Sequence, residues 1–70
     1  MNIYVAFGNR LRQMRKEKGM SQEKFGKLLG LSKQVLSKYE TYQRIPKINK
    51  VIEFATILGV SVSYMAGESD

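Results

Sequence analysis

The sequence contains no cysteine, no histidine and no tryptophan, and it has a single proline. Without cysteine the chain has no disulfide and no thiolate metal site, which fits an intracellular compartment. Without histidine it also lacks the ligands and bases of Cys/His zinc sites and Ser-His catalytic arrangements. The carboxylates are scattered, and no glycine-rich phosphate loop is present. We therefore expect a protein that is not an enzyme and that uses no metal or cofactor.

Long hydrophobic runs are also missing. No apolar run approaches the roughly 20 residues that span a bilayer. Residues 1–7 are mostly apolar, but they lack the charged start and the cleavage site of a signal peptide. The 70 residues are expected to form one small domain, 1–70, whose core is marginal in size but sufficient.

Negative charge is scarce in the first part of the chain. All 12 lysines and arginines lie between residues 10 and 50, where only three carboxylates oppose them, and this segment carries a net charge of +9. Residues 51–70 carry only Glu53, Glu68 and Asp70, which gives a net charge of −3. A polyanionic partner is therefore expected to bind the basic segment and not the C-terminal end.

Residues 21–40 are predicted to form two short helices around one tight turn. Ser21 is a good N-cap, because its hydroxyl can accept a hydrogen bond from a free amide of the first turn. The apolar residues that follow recur at helical spacing, at Phe25, Leu28 and Leu29. Gly30 is expected to end this helix in the left-handed conformation, and Ser32 is the N-cap of the next helix.

The second of these helices, predicted over residues 32–41, divides into two faces when its residues are placed about 100° apart. One face carries Val35, Leu36, Tyr39 and Glu40. The other face carries Lys33, Gln34, Ser37, Lys38 and Thr41. A polar and cationic outer face after a helix–turn–helix is typical of a helix that enters the major groove of DNA. An ordinary solvated face is the simpler alternative.

A longer pattern extends through most of the chain. Residues 15–40 read R-x-x-x-x-M-S-Q-E-x-F-G-x-x-L-G-L-S-x-x-x-L-S-x-Y-E. The pattern continues with Pro46, I-x-x-V-I-x-F-A over residues 48–55 and L-G-V-S-V-S-Y-M over residues 58–65. These motifs resemble the phage repressor/Cro-type helix-turn-helix family, also called the XRE family. The resemblance implies an all-α, compact five-helix domain with the helix-turn-helix at helices 2 and 3.

The resemblance and the chemistry of the side chains together suggest roles on DNA. Base contacts are expected from the outer face of the third helix, at Lys33, Gln34, Ser37 and Lys38. Phosphate contacts are expected around it, at Gln22, Ser32, Thr41, Tyr42, Gln43, Arg44 and, on the first helix, Arg10. Lysine pairs well with guanine O6 and N7, and glutamine pairs well with adenine N6 and N7. For Arg10 and the other cations of the first helix, simple solubility is the alternative.

Arg15 is expected to form a structural ion pair with Glu40, as the arginine at this position does in the family. A carboxylate at the C-terminal end of a helix is disfavoured by the helix dipole, so it gains from a cationic partner.

Two residues depart from the family pattern. Gly26 stands where alanine is usual, which costs about 1 kcal/mol in a helix interior but would let the recognition helix pack closely. Tyr42 stands where glycine is usual. It either takes the left-handed conformation, at a cost of about 1–2 kcal/mol, or the loop follows another path.

The remaining helices are predicted from apolar spacing and from glycine stops. The first runs from residue 3 or 4 to 18, the fourth covers residues 48–58, and the fifth runs from Ser61 through Ala66. The first helix should bury Val5, Phe7, Leu11 and Met14. The last two helices should bury Ile48, Val51, Ile52, Ala55, Leu58, Val60, Val62 and Met65, with Phe54 beside them.

Together these features predict a sequence-specific transcriptional regulator that binds double-stranded DNA. We expect it to act as a repressor, as a homodimer on a palindromic operator, in the cytoplasm of a bacterium and encoded by the bacterium or a phage. Asp70 is then either a natural end or the edge of a longer regulator. One alternative is an antitoxin- or adaptor-like protein-interaction module on the same fold. Another is a nonspecific binder of nucleic acid or membrane surfaces, against which the repeated caps and core stripes argue.

Overall fold

The computed structural model describes residues 2–68, and between these residues it contains five helices and no strand. The helices are α1 (Ile3–Glu17), α2 (Gln22–Leu29), α3 (Lys33–Glu40), α4 (Ile48–Leu58) and α5 (Val62–Met65). The predicted all-α, five-helix fold is therefore confirmed. Asp70, one of the carboxylates of the acidic end, lies outside the described residues. None of the described helices is both long and apolar enough to cross a membrane.

Three helices begin with a serine N-cap, as the sequence predicted for α2, α3 and α5. The hydroxyls of Ser21, Ser32 and Ser61 each accept a hydrogen bond from the amide three residues later, at 3.0–3.2 Å. Gly30 ends α2 with a φ of 74°, which is the left-handed conformation that suits glycine. Asn2, a cap that the sequence did not predict, starts α1: its Oδ1 accepts a hydrogen bond from the amide of Tyr4, two residues later, at 2.8 Å. The turn between α2 and α3 is thus fixed by a glycine and a serine close together in sequence.

Three aromatic rings from three helices meet at the centre of the core. Phe7 of α1 packs edge-on against Tyr39 of α3 at 5.5 Å between ring centroids, and Phe54 of α4 lies 6.2 Å from Phe7 and 6.1 Å from Tyr39. The rest of the core is aliphatic or thioether, with one further phenyl ring: Leu11, Met14, Phe25, Leu29, Leu36, Ala55 and Met65. Through Tyr39, the inner face of α3 is part of this core.

Three residues predicted to be buried are exposed instead. Ile48 is 68% exposed, Ile52 is 49% exposed and Val62 is 39% exposed. On α4 the prediction was wrong because the helix turns Phe54 to the core, and Ile52 lies two residues earlier, about 200° around the helix. On α5 the buried residue is Met65, and Val62 lies in the exposed first turn. Leu28, on the apolar stripe of α2, is also exposed, since α2 packs inward through Phe25 and Leu29.

Two glycines inside helices allow close approach of neighbouring backbone. A Cβ atom on Gly26 would lie 2.8 Å from the carbonyl oxygen of Leu31, in the turn that leads to α3. A Cβ atom on Gly8 would overlap the carbonyl oxygen of Tyr39 and would lie 3.0 Å from the ring of Tyr42. Gly26 therefore permits the close packing that its departure from alanine suggested.

Gly8→Ala should destabilise the protein by about 1–3 kcal/mol, because the added methyl group forces α1 and α3 apart. This loss should appear even though alanine is the better helix former by about 1 kcal/mol. Gly26→Ala should cost less, since its overlap is smaller. Urea unfolding of both variants gives the comparison, and a Gly8→Ala protein as stable as the wild type would contradict the close packing of α1 on α3.

Candidate nucleic-acid interface

Helix α3 is held on one side and open on the other. Its inner face contributes Leu36, Tyr39 and Glu40, all of which are buried, and Val35, which is half-buried. Its outer residues Lys33, Gln34, Lys38 and Thr41 are exposed, and Ser37 is half-buried. The two faces therefore coincide with the division predicted from the helical period.

Glu40, the last residue of α3, is only 4% exposed. Its carboxylate lies in a hydrogen-bond network that joins three helices. Arg15 of α1 binds it with two atoms, since its Nε donates to Oε2 at 2.8 Å and its Nη2 donates to Oε1 at 3.0 Å. Gln22 of α2 donates from Nε2 to the same Oε1 at 3.2 Å. The remaining Nη1 of Arg15 donates to the carbonyl oxygen of Met20 at 3.3 Å. The ion pair expected between Arg15 and Glu40 is thus present.

The network also favours the charged form of Arg15. Its hydrogen bond to Glu40 raises the pKa of Arg15 above the usual guanidinium value, and the nearby negative charge adds to this effect, while burial opposes it. A raised pKa in the folded state means that the stabilisation is complete below the ordinary guanidinium pKa and is lost only above it. Arg15 therefore keeps its charge across the neutral and moderately alkaline range.

The four residues predicted to contact bases line one open cleft. This α3 cleft is lined by Gln22, Lys33, Gln34, Ser37, Lys38 and Gln43. Gln22 enters from the first turn of α2, and Gln43 enters from the loop after α3. The cleft therefore presents amide, hydroxyl and ammonium groups side by side, which are the groups that read base edges in the major groove.

A second cleft lies beside the N-terminal end of α3. This cationic cleft contains Ser32 and Arg44, both predicted phosphate contacts, together with Lys47 and Lys50. The guanidinium of Arg44 lies 5.8 Å from the centre of the Tyr39 ring, which gives the side chain a support on α3. Lys47 and Lys50 were not assigned to the site, although their i, i+3 spacing on a helix could have indicated a shared face.

Arg12 is one of the first-helix cations for which phosphate contact and simple solubility were both open. It lines a depression with Gln22, Thr41 and the Arg15–Glu40 pair. Arg12 lies three residues before Arg15 on α1, so the helical period could have brought it to the same face.

Tyr42 and Arg10, both predicted phosphate contacts, have partners away from the two clefts. Tyr42 adopts the left-handed conformation, with a φ of 65°, and its hydroxyl donates to Oδ1 of Asn9 on α1. Arg10 does not line any of the depressions around α3. Its Nε donates to the carbonyl oxygen of Tyr64 at 2.9 Å, and its guanidinium lies 3.9 Å from the centre of the Tyr64 ring. Arg10, a predicted phosphate contact, therefore joins α1 to α5 in this structure.

Arg15→Ala should reduce the free energy of unfolding by about 2–4 kcal/mol, because it leaves the buried carboxylate of Glu40 without its cation. Lys50→Ala is the matched control: it removes an exposed ion pair with Glu53, 3.5 Å long, and should cost less than about 1 kcal/mol. Thermal and urea unfolding measure both. Equal losses in the two variants would show that the Arg15–Glu40 pair does not hold α3.

Comparison with known proteins gives one consistent result. A family model described as helix-turn-helix matches residues 11–65. The chain is similar to the SPbeta prophage-derived uncharacterized HTH-type transcriptional regulator YonR of Bacillus subtilis, with 36% identity over 59 residues that cover 84% of this chain and 55% of YonR. It is also similar to the uncharacterized HTH-type transcriptional regulator YazB of Bacillus subtilis, with 37% identity over 86% of this chain and 87% of YazB.

A solved structure agrees with these relatives. The crystal structure of the restriction-modification controller protein C.AhdI from Aeromonas hydrophila matches with a TM-score of 0.75 and 34% identity, over 89% of this chain and 94% of that chain. The chain thus spans about half the length of YonR but most of YazB and of C.AhdI. The matched residues, 11–65, include the α2–α3 turn, the α3 cleft and the hydrogen-bond network around Glu40. The chain therefore belongs to the Cro/XRE-type helix-turn-helix family.

Proposed function

We propose that this chain is a sequence-specific transcriptional regulator that binds double-stranded DNA and acts as a repressor. We expect it to bind DNA without catalysing a reaction. Because its target is DNA, we also expect it to be located in the bacterial cytoplasm. The relatives named as HTH-type transcriptional regulators support the general class. The single observation that carries the proposal is the α3 cleft, in which Lys33, Gln34, Ser37 and Lys38 are gathered on one accessible face.

The proposed division of labour follows the chemistry of the two clefts. In the α3 cleft, neutral amide and hydroxyl groups accompany the lysines, so base edges can be distinguished by hydrogen bonds. In the cationic cleft, Arg44, Lys47 and Lys50 provide charge, which binds any phosphate backbone and releases counterions. Ser32 in the cationic cleft and Gln22 in the α3 cleft are proposed as neutral phosphate contacts. Phosphate contacts of this kind fix the register in which α3 meets the bases.

We further propose that two copies of the chain associate through an apolar groove away from the α3 cleft. The resulting dimer would bind a palindromic operator. Ile3, Tyr4, Ile48, Val51 and Val62 line this groove, and none of them lines the α3 cleft. Ile48 and Ile3 are 68% and 55% exposed, which is unfavourable for contiguous apolar side chains in water. The groove has no charged side chain among its lining residues, so two cationic copies can meet there without placing like charges in contact.

Gln34→Ala should weaken binding to the selected operator by about 1–3 kcal/mol and leave nonspecific binding nearly unchanged, because it removes hydrogen bonds to a base. Arg44→Ala should weaken binding to every duplex and reduce the salt slope by about one unit, because it removes one phosphate contact. Fluorescence anisotropy on operator and scrambled duplexes, over a series of salt concentrations, separates the two effects. The operator itself comes from binding-site selection with random duplex DNA.

Gln13→Ala is the control for the glutamine variant. Gln13 is exposed on α1 and contacts Arg10 and Glu17, so its loss should change neither affinity nor salt slope. Equal losses on both duplexes for Gln34→Ala would exclude base recognition by this residue. A wild-type protein without any sequence preference would favour the protein-interaction module or the nonspecific binder instead.

Ile48→Asp should weaken self-association at least about tenfold, because it puts a charge into the apolar groove. Folding should be preserved, since the residue is exposed and an acidic side chain suits the first turn of a helix. Ile45→Asp is the matched control, because Ile45 is 60% exposed but does not line the groove. Sedimentation equilibrium measures both variants, and indistinguishable association constants would rule out the groove as the contact.

A further inference from the structure

Gln43 lies closer to the base-recognition residues than its place in the loop after α3 suggested. Its backbone amide donates to the carbonyl oxygen of Lys38 at 2.8 Å, so the chain folds back against the last turn of α3. The left-handed conformation of Tyr42, with a φ of 65°, produces this reversal. As a result, Gln43 lines the α3 cleft together with Lys38 and Gln34.

The side-chain amide of Gln43 is held by a short chain of hydrogen bonds. Its Nε2 donates to Oγ1 of Thr41 at 2.9 Å, and that hydroxyl donates to the carbonyl oxygen of Ser37 at 2.7 Å. A hydroxyl has only one proton, and the proton of Thr41 is used on Ser37. Thr41 must therefore accept from Gln43, which orients the nitrogen of the amide toward Thr41 and leaves Oε1 without this contact.

This orientation leaves a specific pair of groups available. An amide nitrogen carries two protons, and Thr41 takes one of them, so the second proton and the acceptor Oε1 remain. A donor and an acceptor side by side match adenine, which presents N7 as acceptor and N6 as donor in the major groove. A phosphate group presents only acceptors, so it could use the second proton of the amide but would leave the acceptor Oε1 without a partner. We therefore infer, on the basis of the proposed function, that Gln43 is a specificity-determining residue that reads an adenine beside the base contacted by Lys38.

Binding-site selection with random duplex DNA tests this role. The wild type should select adenine at one position that Gln43→Ala makes variable, with a loss of discrimination on the order of tenfold and with the other positions unchanged. Gln43→Glu should shift the same position toward cytosine, because a carboxylate accepts from cytosine N4 but cannot donate to adenine N7. Gln34→Ala should change a different position.

Thr41→Val tests how the amide is held, because valine keeps the shape of threonine but cannot accept from Gln43. It should broaden the same adenine position that Gln43→Ala broadens. Thr56→Val is the matched control, since the hydroxyl of Thr56 makes the same type of backbone hydrogen bond, to the carbonyl oxygen of Ile52 at 2.9 Å, on α4. This control should leave the selected sequence unchanged.

The outcomes separate this inference from the broader proposal. If Gln43→Ala weakens binding equally to all duplexes while the wild type still prefers one sequence, Gln43 contacts phosphate and the inference is overturned, but the regulator remains. If Thr41→Val leaves the adenine position as sharp as in the wild type, the assigned holding role is overturned. If the wild type selects no sequence, the proposed function fails and the inference fails with it. Thermal unfolding of each variant verifies that the fold is intact.

Discussion

The placement of α3 depends on a buried negative charge. Removing a carboxylate from water is costly unless opposite charge and hydrogen bonds replace the lost hydration. Glu40 also lies at the end of its helix where the dipole is unfavourable. Arg15 and Gln22 satisfy it from α1 and α2, with three hydrogen bonds of 2.8–3.2 Å. Because the partners come from different helices, satisfying one carboxylate also fixes how α3 lies against both neighbours.

Close backbone contact complements this electrostatic constraint. Gly26 brings the α2–α3 turn against α2, and Gly8 brings α1 against the end of α3. Tyr39 adds an aromatic contact to Phe7 and Phe54 on the same inner side. The inner face of α3 is therefore used completely for support, and the polar outer face is left free for a ligand. A rigid helix with an open outer face suits base recognition, in which hydrogen bonds require accurate placement.

Local chemistry explains what the sequence could predict. The serine caps, the glycine at Gly30 and the two faces of α3 depend on residues within one or two turns of each other, and each agrees with the structure. Tertiary placement was less accessible. An apolar stripe on α4 does not tell whether Phe54 or Ile48 faces the core, and Arg10 has its partner at Tyr64, 54 residues away. Arg15 and Glu40 are also distant in sequence, and only the family resemblance connected them.

Tyr42 links the residue that departs from the family pattern to the shape of the α3 cleft. A left-handed tyrosine costs about 1–2 kcal/mol, so contacts elsewhere must offset it. The ring of Tyr42 lies over Gly8, where only glycine leaves room, and its hydroxyl bonds to Asn9. These contacts anchor the loop to α1 without the usual glycine. Since the next residue is Gln43, the same anchor returns an amide to the edge of α3. The left-handed turn at Tyr42 therefore extends the cleft beyond the helix, and the contacts of the tyrosine side chain hold that turn in place.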